Sequence, residues 1–378
     1  MLILIFWLSF IGIFYAYFGY PITLAILGKI SEMPIKKPGQ EYTPKVTVLI
    51  PVHNESAVIE DKLANTKNID YPESKLEILF ISDGSTDGTN EIIQSSVNSV
   101  IHLIEVADRK GKANALNIGL QKANGEIIVF SDASILLDRN AIKNIIQPFF
   151  DPKIGCVTGE DHIKDAGGEG AYGRYELWLR NLESRLHSVV GASGSFYAQR
   201  KSLCKPFGEG LAPDFLSVLN TVEEGYRAIS EPDAYGFMSS VKSTSDEFNR
   251  KIRTLIRGMS VLFYKKNMLN FMEFGIFSFF LLSHKLIRWL VPFFLLGLFI
   301  SNLILFNQNS LYCMFILLQL VFYSIALLAY FNVLGIGRGL IGKIALYFTM
   351  VNISIFIAWK RYIAGVRQEI WDPSKRVI

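Results

Sequence analysis

Glu126-Ile-Ile-Val-Phe-Ser131-Asp132-Ala133-Ser134 is an apolar run that stops on an aspartate held in a turn. A run of this length reads as a buried strand. Its end places a carboxylate at the carboxyl edge of a sheet, where open α/β folds bind ligands. The same design occurs twice upstream: Lys45-Val-Thr-Val-Leu-Ile50 breaks into Pro51-Val-His-Asn-Glu55, and Glu77-Ile-Leu-Phe-Ile-Ser82 breaks into Asp83-Gly-Ser-Thr-Asp-Gly88. Strands that each deliver acidic or turn-forming residues to one edge describe a site for a polyanion that brings a cation.

Strand-like runs near 46–51, 77–82, 100–106 and 126–131 alternate with helical patterns near 56–68, 88–98, 112–123 and 138–150. That alternation predicts a parallel sheet covered by helices. From about residue 171 the pattern changes to a long amphipathic helix from Tyr172, a Gly191-Ala-Ser-Gly194 turn and a short strand, Phe196-Tyr-Ala-Gln199. There is no internal repeat and no low-complexity segment.

The chain has 378 residues, 50% of them hydrophobic, and this excess lies in blocks. Residues 2–28 carry no charge and are long enough to cross a bilayer as a helix; a basic n-region and a cleavage site, which a signal peptide would need, are lacking. Further blocks at 286–306, 312–333 and 341–359 are also long enough to span. The aromatic stretch between Phe271 and Leu282 is short, carries Glu273 and reads as a helix lying in the interface. Lys29, Lys36, Lys37 and Lys45 follow the first block, and Lys265, Lys266, Lys285 and Arg288 precede the second, so the positive-inside rule places residues 29–285 in the cytoplasm. The basic tail, Lys360, Arg361, Arg367, Lys375 and Arg376, would then lie outside if the last block crosses. Either that block is re-entrant or the count is off by one. The expected organisation is an anchor over 1–30, a cytoplasmic domain over 31–270, an interfacial helix over 271–285, and a membrane region with basic tail over 286–378.

The net charge of +4 is modest and its basic residues cluster beside membrane segments, which points to anionic lipid rather than nucleic acid. Cys156, Cys204 and Cys313 have no metal-ligand spacing and support neither a disulfide framework nor a zinc site.

Six pieces in fixed order, Pro51-Val-His-Asn-Glu55, Asp83-Gly-Ser-Thr-Asp87, Lys110-Gly-Lys112 through Asn117, Ser131-Asp-Ala-Ser134, Gly191 to Tyr197 and Ala212-Pro-Asp214, carry a resemblance. Residues of about 45–265 resemble the inverting family 2 glycosyltransferases, and the flanking apolar blocks resemble the bacterial members that work at the cytoplasmic membrane. The resemblance implies an α/β domain of the GT-A type, a Rossmann-like nucleotide-diphospho-sugar transferase fold, with transmembrane helices at both ends. It further implies a nucleotide-sugar donor, a Mg²⁺ or Mn²⁺ cofactor, a lipid-linked or polysaccharide acceptor, and a multi-pass cell-membrane protein with a cytoplasmic catalytic domain. Oligomeric state is not legible.

Transfer from a nucleoside diphosphate sugar must stabilise a leaving group whose negative charge grows and activate an acceptor hydroxyl. Mg²⁺ takes one or two carboxylates plus phosphate oxygens, so Asp132 with Ser134 is the metal candidate, although the family usually has a second aspartate where Ser134 stands. The donor-side candidates are Pro51, His53, Glu55, Asp83, Lys112, Asp132 and Arg253. Asp83 is the nucleoside ligand that the resemblance implies, while Asp87 reads as a helix cap. His53 either stacks on the base or is a satisfied histidine at a strand end, and Glu55 either binds nucleotide or ties down its loop. Lys110-Gly-Lys112 opens a helix and suits phosphate, with a solvated basic loop as the alternative. Arg250, Arg253 and Arg257 share a helix face, where Arg253 reaches a diphosphate or the stripe meets lipid headgroups.

Asp214 occupies the place where inverting relatives hold their general base, with a plain helix cap as the alternative. Trp178, Gly191, Ser193 and Gly194 are the acceptor-side candidates. Rival readings are a non-catalytic or partner-dependent subunit of a polysaccharide synthesis complex and, less well supported, a sugar-nucleotide pyrophosphorylase. The latter would need a glycine-rich, arginine-containing loop where this chain has Pro51-Val-His-Asn54.

Overall fold

The computed structural model describes residues 1–36, 38–163, 167–239 and 244–367. Lys37, Lys375 and Arg376, named above for membrane orientation, lie outside the described residues.

An eight-stranded sheet forms the centre of the soluble part, in the order β3-β2-β1-β4-β7-β6-β8-β5. Its strands are β1 (Val46–Val52), β2 (Leu76–Asp83), β3 (Ile101–Val106), β4 (Ile127–Ser131), β5 (Ile135–Leu137), β6 (Ile154–Ile163), β7 (Phe196–Arg200) and β8 (Arg227–Met238). The first four run parallel and are joined by helices Ser56–Lys67, Thr89–Gln94 and Lys112–Lys122, as the alternating pattern predicts. Every residue of β1 is buried, which is why it reads as a continuous apolar run rather than an alternating one. Each such valine, leucine or isoleucine contributes roughly 1.5–3 kcal/mol by leaving water.

The second half of the sheet, where the sequence pattern changes, adds antiparallel pairs. β7 is antiparallel to both β4 and β6, and β5 is antiparallel to β8, so the sheet is mixed. The reason is topological. After β6 the chain departs through helix Gly167–Leu186 and returns from the opposite end, pairing Phe196 with Ser131. This reversal lays the Gly191–Ser195 turn against the end of β4, and the Asp132 N–H donates to the Ser195 carbonyl at 3.0 Å.

Among the described residues, four helices are long and apolar enough to cross a membrane: Leu2–Ile30, Ile276–Leu305, Ser310–Tyr330 and Leu340–Ile363. The helix expected in the interface over 271–285 is broken at Gly275, whose φ of 52° suits glycine, and its second part continues into the next span. Lys285 and Arg288 made residue 285 look like a boundary, and His284 stands beside them. They are tolerated inside a continuous helix because His284 and Arg288 are buried against the soluble part rather than exposed to lipid.

The last helix also differs from a simple crossing. Lys251 donates to the Tyr347 hydroxyl at 2.9 Å, and Phe263 meets the rings of Trp359 and Tyr362 at 5.9 and 5.5 Å. Leu340–Ile363 therefore lies along helix Thr244–Tyr264 over most of its length. That partner carries Asp246, Glu247, Arg250, Lys251, Arg253 and Arg257, too much charge for the hydrocarbon core. The contacts set the Lys360–Arg361 end of this helix beside Phe263, at the end of the charged helix.

Candidate active site

The carboxyl ends of β1, β2 and β4 meet the start of helix Lys112–Lys122. Gly111 has φ 89°, and this conformation turns two backbone N–H groups toward Asp83: Lys110 donates to Oδ1 at 2.9 Å and Gly111 to Oδ2 at 2.7 Å. Gly84, at φ 66°, is required too, since a Cβ there would stand 2.9 Å from the Arg109 backbone nitrogen. Asp83 thus clamps the Lys110–Lys112 loop. His53 is buried and its Nδ1 donates to the Asp83 carbonyl at 2.7 Å, the satisfied-histidine arrangement.

Asp87 accepts from the Thr89 N–H at 3.2 Å and the Ser56 N–H at 3.0 Å, tying down two helix starts. Burial pushes its carboxyl up, but hydrogen bonds from Thr89 and Ser56 outweigh this and bring it down to about 2. Glu55 sits at the N-cap position of helix Ser56–Lys67, and its N–H donates to Thr89 Oγ1 at 2.9 Å.

Lys112 forms a salt bridge to Asp132, with side chains only 12% and 20% exposed. The ammonium also donates to the Gly194 carbonyl at 3.3 Å, so one cation links the helix start, the acidic turn and the Gly191–Ser195 turn. The stacked rings of Phe130 and Tyr197, 4.4 Å apart, hold β4 and β7 together just below.

Asp214 lies in the first turn of helix Pro213–Glu223, but the N-cap residue is Ala212 and makes no side-chain cap. The carboxylate therefore does not cap the helix, and no hydrogen bond or ion pair to it is found among the described residues. Asp214 lines two cavities at once. One is a narrow cleft shared with Pro51, Lys112, Ser131, Asp132 and Gly194, and the other is shared with Gly191, Ala192, Arg180 and Lys285.

Of the acceptor-side candidates, Gly191 and Gly194 stand in these walls. Ser193 is buried, and its hydroxyl bonds both Asp161 oxygens at 2.7 Å while accepting the Ser195 and Phe196 N–H groups, so it shapes the turn. Trp178 is 45% exposed and outside both walls.

Lys62 escaped the sequence reading, and Arg257 was read only as part of the basic stripe. Arg257, one turn beyond Arg253, donates to the Leu211 carbonyl at 2.7 Å, and its Nε finds no acceptor among the described residues. Burial pulls its pKa down, with the charges of Asp214 and Asp132 opposing. Lys62 is fully buried beneath the acidic turn and donates to Ser131 Oγ at 2.8 Å and to the Ile135 carbonyl at 2.7 Å, bracing both sides of Asp132-Ala133-Ser134. The helical periodicity around Lys62 was legible, but a lysine on the buried face has no local signal.

Burial drives the Lys62 ammonium down to about 7, with Asp132 opposing. Below pH 7 the folded and unfolded states both hold this proton, and the desolvation cost is borne in full. Between pH 7 and the ordinary lysine range only the unfolded state holds it, so stability gains as pH rises through that window. The melting temperature of the wild type relative to Lys62→Met is expected to rise between pH 7 and pH 9.5; a constant difference would contradict the assigned burial. Because a turn displaced by an ångström costs about 10²-fold in rate, the same variant should also lose turnover.

The Glycosyl transferase family 2 profile matches residues 47–205, the stretch that holds the cleft's strands and both acidic turns. Residues 47–205 are a family 2 glycosyltransferase domain. Over 230 residues the chain is 30% identical to the poly-beta-1,6-N-acetyl-D-glucosamine synthase of Staphylococcus aureus (strain COL), covering 57% of this chain and 55% of the relative. The enzyme of the same name from Staphylococcus epidermidis is 31% identical over 187 residues, 47% of this chain and 45% of its own. The chain thus spans about half the length of the curated relatives it matches. Among solved structures, the mannosyltransferase PcManGT from Pyrobaculum calidifontis, in complex with GDP-Man and Mn²⁺, superposes with a TM-score of 0.77 at 24% identity, covering 97% of this chain and 99% of that one. The likeness extends the GT-A fold of the family 2 domain to the helices around it.

Proposed function

We propose that the family 2 domain transfers a hexose-type sugar, with inversion, from a nucleoside diphosphate donor, UDP-linked by preference, to a hydroxyl of an acceptor at the cytoplasmic face of a membrane. The observation that carries this reading is the Asp214 carboxylate, which has no partner among the described residues and stands in the wall between two cavities. One cavity holds the Lys112–Asp132 pair, and the other is lined in part by His284, Lys285 and Trp289 of the span Ile276–Leu305.

In this reading the acceptor oxygen attacks C1 from the face opposite the diphosphate. Asp214 takes the acceptor proton, the new C1–O bond forms, and the bond to the diphosphate breaks with its electron pair leaving on the nucleotide. Lys112 faces the charge that grows there, and Asp83 holds the loop that the nucleoside meets. The names of the curated relatives, which are polysaccharide synthases, support a carbohydrate product.

The residues present fit a divalent cation only as a shared site. Asp132 has one oxygen engaged by Lys112, Ser134 offers a hydroxyl, and no group of three acidic, histidine or cysteine ligands exists among the described residues. Such a set suits Mg²⁺ or Mn²⁺ that takes its remaining ligands from the substrate's phosphates and water, and the cation would neutralise the leaving diphosphate.

Detergent-purified protein assayed with UDP-, GDP- and dTDP-sugars in Mg²⁺, Mn²⁺ or EDTA tests this. Turnover of one donor that EDTA abolishes and added cation restores is the expected result. Nucleotide binding without turnover of any donor, acceptor lipids included, would favour the subunit reading.

A further inference from the structure

The cavity on the membrane side of Asp214 has a volume of about 170 Å³, below the ~300–1,000 Å³ typical of a pocket for a whole ligand, so it takes one chemical group of something larger. Its charged wall comes from Arg180 and Glu176 on helix Gly167–Leu186 with Glu183 nearby, and from His284 and Lys285. The last two project from a π-turn, Leu282–Ile287, inside the candidate span Ile276–Leu305. π-turns and ionisable residues within membrane spans both mark functional sites more often than chance.

Of the carboxylates in this wall, Glu176 and Glu183 are already occupied, and Asp214 stands at its end. Glu176 forms a salt bridge with Arg288 and lies 3.1 Å from His284 Nε2. Burial would raise the Glu176 carboxyl, but Arg288 and His284 hold it well below the usual range. Glu183 accepts the Tyr20 hydroxyl at 2.6 Å and lies 2.6 Å from His284 Nδ1.

The cations are not occupied in the same way. Lys285 makes no ion pair among the described residues; its ammonium sits 5.3 Å from the Phe215 ring centroid and 3.4 Å from where a Gly191 Cβ would be. Among the described residues Arg180 has only long hydrogen bonds, 3.5 Å to Thr158 Oγ1 and 3.4 Å to the Gly159 carbonyl. Two cations without carboxylate partners, facing a small cavity that ends at Asp214, form a receptor for an anionic group. Phe215 and Gly191 follow from the same logic: a larger residue at 191 would close the space above the ammonium.

We infer that this cavity binds a phosphoryl group of a lipid acceptor, with Lys285 and Arg180 as its ligands, so that the hydroxyl to be glycosylated is presented to Asp214 from the membrane. The inference rests on the transferase reading and adds the acceptor's chemical class. The placement gives the charged residues of the span a role: they stand where a lipid headgroup would meet the domain.

The test uses the full chain in detergent, with farnesyl phosphate, farnesol and inorganic phosphate as probes and a nucleoside diphosphate as an independent control. Wild-type protein should bind farnesyl phosphate, and farnesol at least tenfold more weakly. Lys285→Met and Arg180→Met should each lose tenfold or more in farnesyl phosphate affinity while nucleotide affinity and melting temperature stay put; Lys285→Arg should restore binding if Lys285→Met proves unstable. Equal binding of farnesol and farnesyl phosphate, or unchanged affinity in both variants, would overturn the inference and leave the donor reading intact. Inorganic phosphate competing as tightly as the lipid would overturn its lipid part and point to a soluble phosphorylated acceptor. Failure to bind any nucleotide would instead sink the transferase reading.

Discussion

Asp214→Asn is expected to lower sugar transfer by about 10²–10⁴-fold, the range for removing a positioned general base. The substitution preserves shape and removes only the ability to take a proton. Its effect on stability should be small. The carboxylate is partly exposed, caps nothing and has no ion pair among the described residues, so what is lost is its favourable place in the first turn of the helix, about 0.3–1 kcal/mol. Nucleotide affinity should be unchanged, because the residue stands at the far wall of the donor cleft. Transfer rates and nucleotide binding measured on one preparation decide the matter. Retained transfer would remove Asp214 from the chemistry, and a parallel loss of nucleotide affinity would make it a structural residue of the cleft.

The second large effect is expected at the Lys112–Asp132 pair. Lys112→Met should reduce kcat/KM by about 10²–10³-fold, the scale of losing one donor aimed at developing charge. Asp132→Asn should be as severe for a different reason, since it removes the only carboxylate of the acidic turn that can help hold a cation. The two side chains touch in a largely buried setting, so each single change also strands the other charge. A double variant should therefore be less impaired than the product of the two single effects. Simple multiplication of the effects would mean that the contact does not matter in the working state. Cation titrations of turnover separate the roles: Asp132→Asn should raise the Mg²⁺ or Mn²⁺ requirement much more than Lys112→Met.

The acidic turns were legible because apolar runs that end in Asp or Asn combinations identify strand ends locally. β1, β2 and β4 lie within a residue or two of the runs read from sequence, as does helix Lys112–Lys122. The Asp214 turn was legible only through the family pattern, since its residues alone describe an ordinary helix start. Ser193 and Trp178 looked equally suited to an acceptor. Only the fold shows that the serine hydroxyl is taken by Asp161 and that the indole faces outward.

Composition and periodicity by themselves determined the alternating strands and helices, the apolar blocks and the set of carboxylates, because each depends on residues within a few positions of one another. Tertiary structure decided what depends on distant pairing. The antiparallel return of β7 brings the Gly191–Ser195 turn to Asp132, and the approach of helix Gly167–Leu186 to the span joins Glu176 and Glu183 to His284. It also buries Lys62 beneath the acidic turn and lays the last helix along Thr244–Tyr264. A buried charge is stable only beside partners that fold around it. Those partners lie scores of residues away in the chain, where no local pattern can show them.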